Sequence, residues 1–147
     1  MSDSLAWIVA AWLVAYLLGS LSGSLLLGRL RGVDIRTQGS GNAGGTNAFR
    51  TQGAVFAIGT VGIDIGKGVV AVLLVRAVGG GDGAAMLGAL LATAGHVWPL
   101  FHGFRGGKGA ATLVGGLIVL WPLAVLPLLA VWLVVLLATG YVGLATV

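Results

Sequence analysis

"AATLVGGLIVLWPLAVLPLLAVWLVVLLAT", residues 110–139, runs without a single charged side chain. A helix rises 1.5 Å per residue, so crossing a hydrocarbon core takes about 20 mostly apolar residues. This run is too long for one straight span and carries "WPLAVLP" in its middle. Proline disfavours helical geometry in the residue before it, so the run divides into two spans near Trp121 and Pro122. Working outward, residues 84–101, 53–78 and 5–28 are three further spans, the second of them containing Asp64 and Lys67. Of the 147 residues, 58% are hydrophobic and 8% charged, where a soluble domain carries about 25% charged residues. Such a surface must face lipid. The expected fold is all-α: a single polytopic membrane bundle over residues 1–147, with about five transmembrane helices and glycine-rich cytoplasmic loops.

The N-terminal "MSDS" has no basic region before its apolar run, so it reads as a first span and not as a cleaved signal peptide. With no cysteine, a disulfide framework, a thiol nucleophile and a thiolate metal site are excluded. The 27 glycines suit membrane helices, whose backbones approach closely at small residues. Charge follows the crossings. Residues 29–52 hold Arg29, Arg31, Arg36 and Arg50 against Asp34, and residues 102–109 add Arg105 and Lys108, whereas "GGGDG" at 79–83 has one acid. Counting spans places both basic loops on one face, cytoplasmic by the positive-inside rule, with the N-terminus outside. The net charge of +4 therefore reports orientation or an anionic substrate, not nucleic acid.

The most polar loop is "GSGNAGGTNAFR", residues 39–50. Its first six residues spell G-x-G-x-x-G, but a dinucleotide site needs a preceding strand and a βαβ unit, and "RLRGVDIRTQ" at the end of a span supplies neither. A Walker A loop fails around Lys108, with His102 where glycine is needed and Gly109 where serine or threonine is needed. The physical content survives. Glycines such as Gly41 and Gly44 let backbone N–H groups converge on an anion. Ser40, Asn42, Thr46 and Asn47 add donors, with Arg50 one helical turn on. An ordinary surface turn would explain the glycines but not donors clustered beside an arginine.

"HGFRGGKGAAT", residues 102–112, repeats the chemistry: Gly106 and Gly107 loosen the backbone beside Lys108 and Arg105. The bland alternative is a topology signal, which needs no site. Two such loops on one face suit a ligand with two phosphates, or two phosphorylated ligands. Asp64 and Lys67, at i and i+3, share a helix face. They mark either a site or a structural ion pair locking helices. His96 and His102 have no neighbouring carboxylate and no His-x4-Asp spacing, and two histidines without a third ligand do not make a metal site.

Together these segments resemble the acyl-phosphate:glycerol-3-phosphate acyltransferases of bacteria, the PlsY family. "GSLSGSLLLGRLRGVDIRTQGSGNAGGTNAFR" is similar to that family's first motif, "DIGKG" to a second, "GHVWPLFHGFRGGKGAAT" to a third, and "YVGLATV" to the start of a fourth. The resemblance implies an inner-membrane enzyme that moves an acyl group from acyl phosphate to the 1-hydroxyl of glycerol 3-phosphate. Lysophosphatidic acid and phosphate would be its products, with no cofactor, nucleotide or metal. By the match, Ser40, Asn42, Arg50 and Lys108 are the expected catalytic residues. Gly41, Gly44, Thr46, Asn47, Asp64, Lys67, His96, Gly106 and Gly107 are the expected substrate-binding ones. A phosphate leaving group needs mainly positioning and charge stabilisation, so a substrate phosphate oxygen can take the hydroxyl proton. The sequence departs from the family pattern at Ser22, Gly45 and Gly143, and it lacks the basic residue that normally precedes Tyr141. Family members continue for roughly a further quarter of their length, to an Arg-His-x-x-Asn segment, so the chain is expected to be C-terminally incomplete relative to them. Two other readings stand beside the enzyme: a small transporter or channel for phosphorylated anions, and an inactive truncated scaffold.

Overall fold

The computed structural model describes residues 2–146; Met1 and Val147, the last residue of "YVGLATV", lie outside them. Among the described residues the regular structure is helical throughout: α1 (Ser2–Gly19), α2 (Gly23–Leu30), α3 (Gly45–Gln52), α4 (Ala54–Ala77), α5 (Asp82–Val97), α6 (Ala110–Leu120), α7 (Pro122–Thr139) and α8 (Val142–Ala145). Short 3-10 turns occupy Ile35–Thr37 and Leu100–His102. α4 is the centre, packing against α1, α5 and α6 and, through its N-terminal half, α2 and α3.

The interior is small and the exterior large. Ala11, Ala15, Ala71, Ala85, Ala89 and Ala92 are buried, whereas Trp7, Leu13, Leu123 and Val134 are more than half exposed. Lipid tails are as apolar as leucine, so membrane helices associate through close backbone packing and not through burial of bulk. Glycine makes that approach here. A carbon added at Gly95 of α5 would run into the carbonyl of Tyr16 on α1, and one at Gly19 into that of Ala92. Gly68 meets Thr112 O and Gly115 meets Ile65 O across the α4–α6 crossing in the same way. Two side-chain ties fasten α1 to α5: Trp12 Nε1 donates to Ala84 O at 2.9 Å and Tyr16 Oη to Trp98 O at 2.8 Å.

The membrane bundle is as expected, with its spans redrawn at two places. Ala54–Ala77, Asp82–His102 and Pro122–Thr139 are each long and apolar enough to cross. The expected first span is a bent pair, Ser4–Gly19 and Gly23–Leu30, turned by 51°. The expected break at Trp121 and Pro122 is present, but α6 has only 11 residues. At 1.5 Å each it is about 16 Å long, well short of a hydrocarbon core. At the far end of the bundle, Arg76 closes on Asp82 at 2.7 Å. The loop charge count had passed over that arginine because it falls inside the span.

Candidate functional site

The loop between α2 and α3 is built by two side chains that turn inward. Asp34 starts the first 3-10 turn, its Oδ1 accepting from Arg36 N at 2.9 Å. Asn47 does more. Its Nδ2 donates to Ile35 O (2.9 Å) and Gln38 O (3.1 Å), while its Oδ1 accepts from Ser40 N (3.0 Å). Gly39 and Gly41 take left-handed φ of 56° and 73°, and a carbon added at Gly39 would collide with Asn47 Oδ1. Asn47, expected as an outward donor, is instead buried and holds the loop's shape. Ser40 and Arg50 are exposed and Asn42 and Thr46 half-buried, and the side chains of all four make no hydrogen bond to another described residue. Thr46 and Arg50 are one turn apart on α3. Ser24 Oγ anchors the loop's middle by donating to Ala43 O at 2.9 Å.

The second loop folds back onto the end of α5. Gly106 N donates to Val97 O and Gly107 N to His96 O, both at 3.2 Å. A carbon on Gly106 would enter the His96 carbonyl. One on Gly107 would strike the His96 ring and stand 3.2 Å from Ala43 O. Gly107 is therefore where the two glycine loops touch. Lys108 follows it, exposed, with Gly109 at φ 83° starting α6. Gly103 and Phe104 are both left-handed, at φ 65° and 58°. For a phenylalanine that conformation costs about 1–2 kcal/mol, so surrounding bonds must hold it.

Arg36 supplies them. Its Nε and Nη2 bind both oxygens of Asp34, at 3.0, 3.1 and 2.7 Å, and its Nη1 donates to His102 O at 2.8 Å and Arg105 O at 3.1 Å. These bonds also place both basic loops at one end of the bundle. The guanidinium's hydrogen bonds hold the Asp34 carboxyl below the usual carboxylate range, and that carboxylate in turn raises Arg36. A lowered carboxylate pKa stabilises above the ordinary value and loses its contribution only as pH falls through the lowered one. The pair is thus ionised throughout the physiological range.

Beneath both loops lies a buried charge cluster. Lys67 Nζ is 2.9 Å from Asp64 Oδ1 and 2.7 Å from His96 Nδ1, which itself lies 3.3 Å from Asp64 Oδ1. The three side chains are 6%, 2% and 3% exposed. Lys67 also donates to Gly19 O (2.9 Å) and Leu21 O (3.1 Å), and Asp64 accepts from Gly23 N (3.1 Å). These are the backbone groups released where α1 ends and α2 begins. A cation meets a helix C-terminus and an anion a helix N-terminus. Asp64, Lys67 and His96 therefore fasten the broken helix, and through His96 they support Gly106 and Gly107. All three are nearly fully buried, which leaves little ground for the transporter reading.

Two cavities adjoin this end. One of about 90 Å³ lies behind the Arg36 pair, lined by Leu25, Arg29, Val33, Asp34, Arg36 and His102; another of about 290 Å³ lies between Leu27, Leu30, Arg31, Val55, Phe56 and Gly59. Neither is lined by Ser40, Asn42, Thr46, Arg50 or Lys108. Sequence reasoning missed Asp34, Arg36 and Ser24. Only Asp34 at the cap of a short turn, two residues before an arginine, signalled any of them.

Fold and site together define an integral membrane helical bundle that gathers two glycine-rich basic loops at one end. A family model described as glycerol-3-phosphate acyltransferase matches residues 9–147, and the chain belongs to that family. It is 43% identical to glycerol-3-phosphate acyltransferase 2 of Moorella thermoacetica, covering 96% of this chain and 72% of that protein. To the glycerol-3-phosphate acyltransferase of Geobacter sulfurreducens it is 44% identical, covering 91% and 69%. The crystal structure of PlsY (YgiH), an integral membrane glycerol 3-phosphate acyltransferase in its glycerol 3-phosphate form, superposes with a TM-score of 0.87. The two are 36% identical, over 95% of this chain and 70% of that one. The lysophosphatidic acid form gives 0.85 at 35% identity. The chain thus spans about seven tenths of the length of these relatives.

Proposed function

We propose that this membrane acyltransferase moves an acyl group from acyl phosphate to the 1-hydroxyl of glycerol 3-phosphate, at the cytoplasmic face of a bacterial inner membrane. The observation that carries the reading is the meeting of two glycine-rich loops at Ala43 and Gly107. It sets Ser40, Asn42, Thr46 and Arg50 on one side and Lys108 on the other. In the reaction the hydroxyl oxygen bonds the acyl carbon, the acyl–phosphate C–O bond breaks, and the hydroxyl proton passes to a phosphate oxygen. The protein's part is to hold two anions together and stabilise charge on the departing phosphate. Ser40, Asn42 and Thr46 supply donors, and Arg50 and Lys108 supply charge. Gly41, Gly44 and Asn47 shape the first loop, and Gly106 and Gly107 the second, on the base formed by Asp64, Lys67 and His96.

Lys108→Arg tests this site. A topology charge tolerates arginine, because positive-inside bias counts charge alone. A phosphate ligand between Gly107, which abuts the His96 ring, and left-handed Gly109 does not. The planar fork is larger and presents no compact ammonium. The variant is expected to insert normally yet bind glycerol 3-phosphate about tenfold or more weakly in nanodiscs, a loss of about 1.4 kcal/mol. Parental affinity would remove Lys108 from the site. Phosphate release from acyl phosphate, measured with and without glycerol 3-phosphate, separates the enzyme from an inert scaffold.

Orientation has its own test. Cysteines at Thr37 and Asp82, in a chain that has none, are expected to react with an impermeant reagent from opposite sides of the membrane, Thr37 from the cytoplasm. Labelling from one side would overturn the topology.

A further inference from the structure

The structure assigns Arg36 a positioning role: anchored by Asp34, it fixes the spacing between the two phosphate-facing loops and so sets where Lys108 stands relative to Ser40 and Arg50. This rests on the site proposed above and adds a residue to it. The geometry separates Arg36 from the other arginines of the loop. Asp34 binds its Nε and Nη2 edge, which leaves Nη1 to reach across to the carbonyls of His102 and Arg105. Every nitrogen of the guanidinium is thereby engaged inside the protein, and the side chain is 21% exposed. It is not exposed at the surface, as Arg50 is.

The two carbonyls it bridges flank Gly103 and Phe104, the left-handed pair. That segment has one further restraint at its centre, the bond from Phe104 N to Pro99 O at 3.0 Å. Three residues beyond Arg105 comes Lys108. Without Nη1 the strained turn loses its two bridging bonds, and the stretch from Gly103 to Lys108 can shift relative to the first loop. On the other side, Asp34 and Arg36 flank Ile35, whose carbonyl accepts from Asn47. The clamp therefore joins the side chain that shapes one loop to the turn that leads into the other.

The test uses two readouts on the purified full chain in nanodiscs. Spin labels on cysteines introduced at exposed Phe49 and Phe101 report the spacing between α3 and the second loop. Calorimetry reports glycerol 3-phosphate affinity. The labelled parent is expected to give one narrow distance distribution. Arg36→Gln is expected to broaden it and weaken binding at least tenfold, while the thermal midpoint of the bundle moves little. Arg36→Lys is expected to fail like glutamine, because one ammonium cannot hold a carboxylate edge and two carbonyls together. Asp34→Asn, the milder change, is expected to give intermediate broadening, and it serves should Arg36→Gln not fold. Adding it to Arg36→Gln is expected to do no further harm, since both remove one unit. A narrow distribution in Arg36→Gln overturns the clamp, and a broad one with parental affinity overturns its link to the site. Lysine retaining both spacing and affinity would make Arg36 a simple charge and overturn the positioning role. A parent with narrow spacing but no affinity for glycerol 3-phosphate would overturn the functional reading, leaving the spacing experiment to decide the clamp.

Discussion

Asp64→Ala is expected to destabilise the protein by about 3–5 kcal/mol, because it leaves a buried ammonium without its counter-charge. Lys67 is only 6% exposed, so water can replace little of the lost partner. Its remaining partners, the carbonyls of Gly19 and Leu21 and the His96 ring, carry no negative charge. The same change strips Gly23 N of its acceptor at the start of α2, so an orphaned donor adds to the cost. The check is the thermal or denaturant midpoint in detergent, read beside the double variant Asp64→Ala/Lys67→Met. Removing both charges leaves no unpaired ion, and replacing a buried pair with apolar groups is often close to neutral. The double variant is therefore expected to recover most of the loss. A single variant as stable as the parent would show that the pair does not hold the helix break.

Gly115→Leu is the second large effect. Gly115 lies on α6 against the carbonyl of Ile65, and even one added carbon would overlap that backbone oxygen. Overpacking costs about 1–3 kcal/mol where side chains can give way. A carbonyl inside a helix cannot rotate aside, so the loss is expected at or above the top of that range. α4 and α6 must part, and Thr112 O against Gly68 parts with them. Gly62→Ala is the control: nothing stands within 4 Å of a carbon added there. Alanine in a helix interior gains up to about 1 kcal/mol over glycine, so this variant is expected to match or exceed the parent. If Gly115→Leu is tolerated as Gly62→Ala is, the α4–α6 crossing is looser than the structure has it.

How far the sequence reached depends on what each feature is made of. The break at Trp121 and Pro122 was legible because proline acts on its own neighbour. The break at residues 20–22 was not, since glycine and serine barely lower an average over 20 residues, and the groups that stabilise it come from α4. Asp64 and Lys67 were legible as a pair from their spacing alone. His96 was not legible as their third member, lying 29 residues from Lys67, nor were the carbonyls they serve. Residue type announced the donors of the first loop but not their direction: Thr46 is half-exposed and Asn47 turns inward, a difference fixed by which face of α3 packs on Ile35, Phe56 and Ala57. Arg36 looked like one topology charge among four. Only its contact with a loop 66 residues away in sequence distinguishes it.

A discontinuous membrane helix is ordinarily a place where a chain flexes. Here the bend of 51° behaves as a weld. One ammonium grips both carbonyls on its lower lip and one carboxylate grips the amide on its upper lip, and the two grips share a salt bridge. Opening the joint would break all of them at once among nearly buried groups. Any breathing at this end must then be carried by the segments beyond the bundle, residues 31–44 and 98–109. Joined through Arg36, they can move only together, over a floor that stays still.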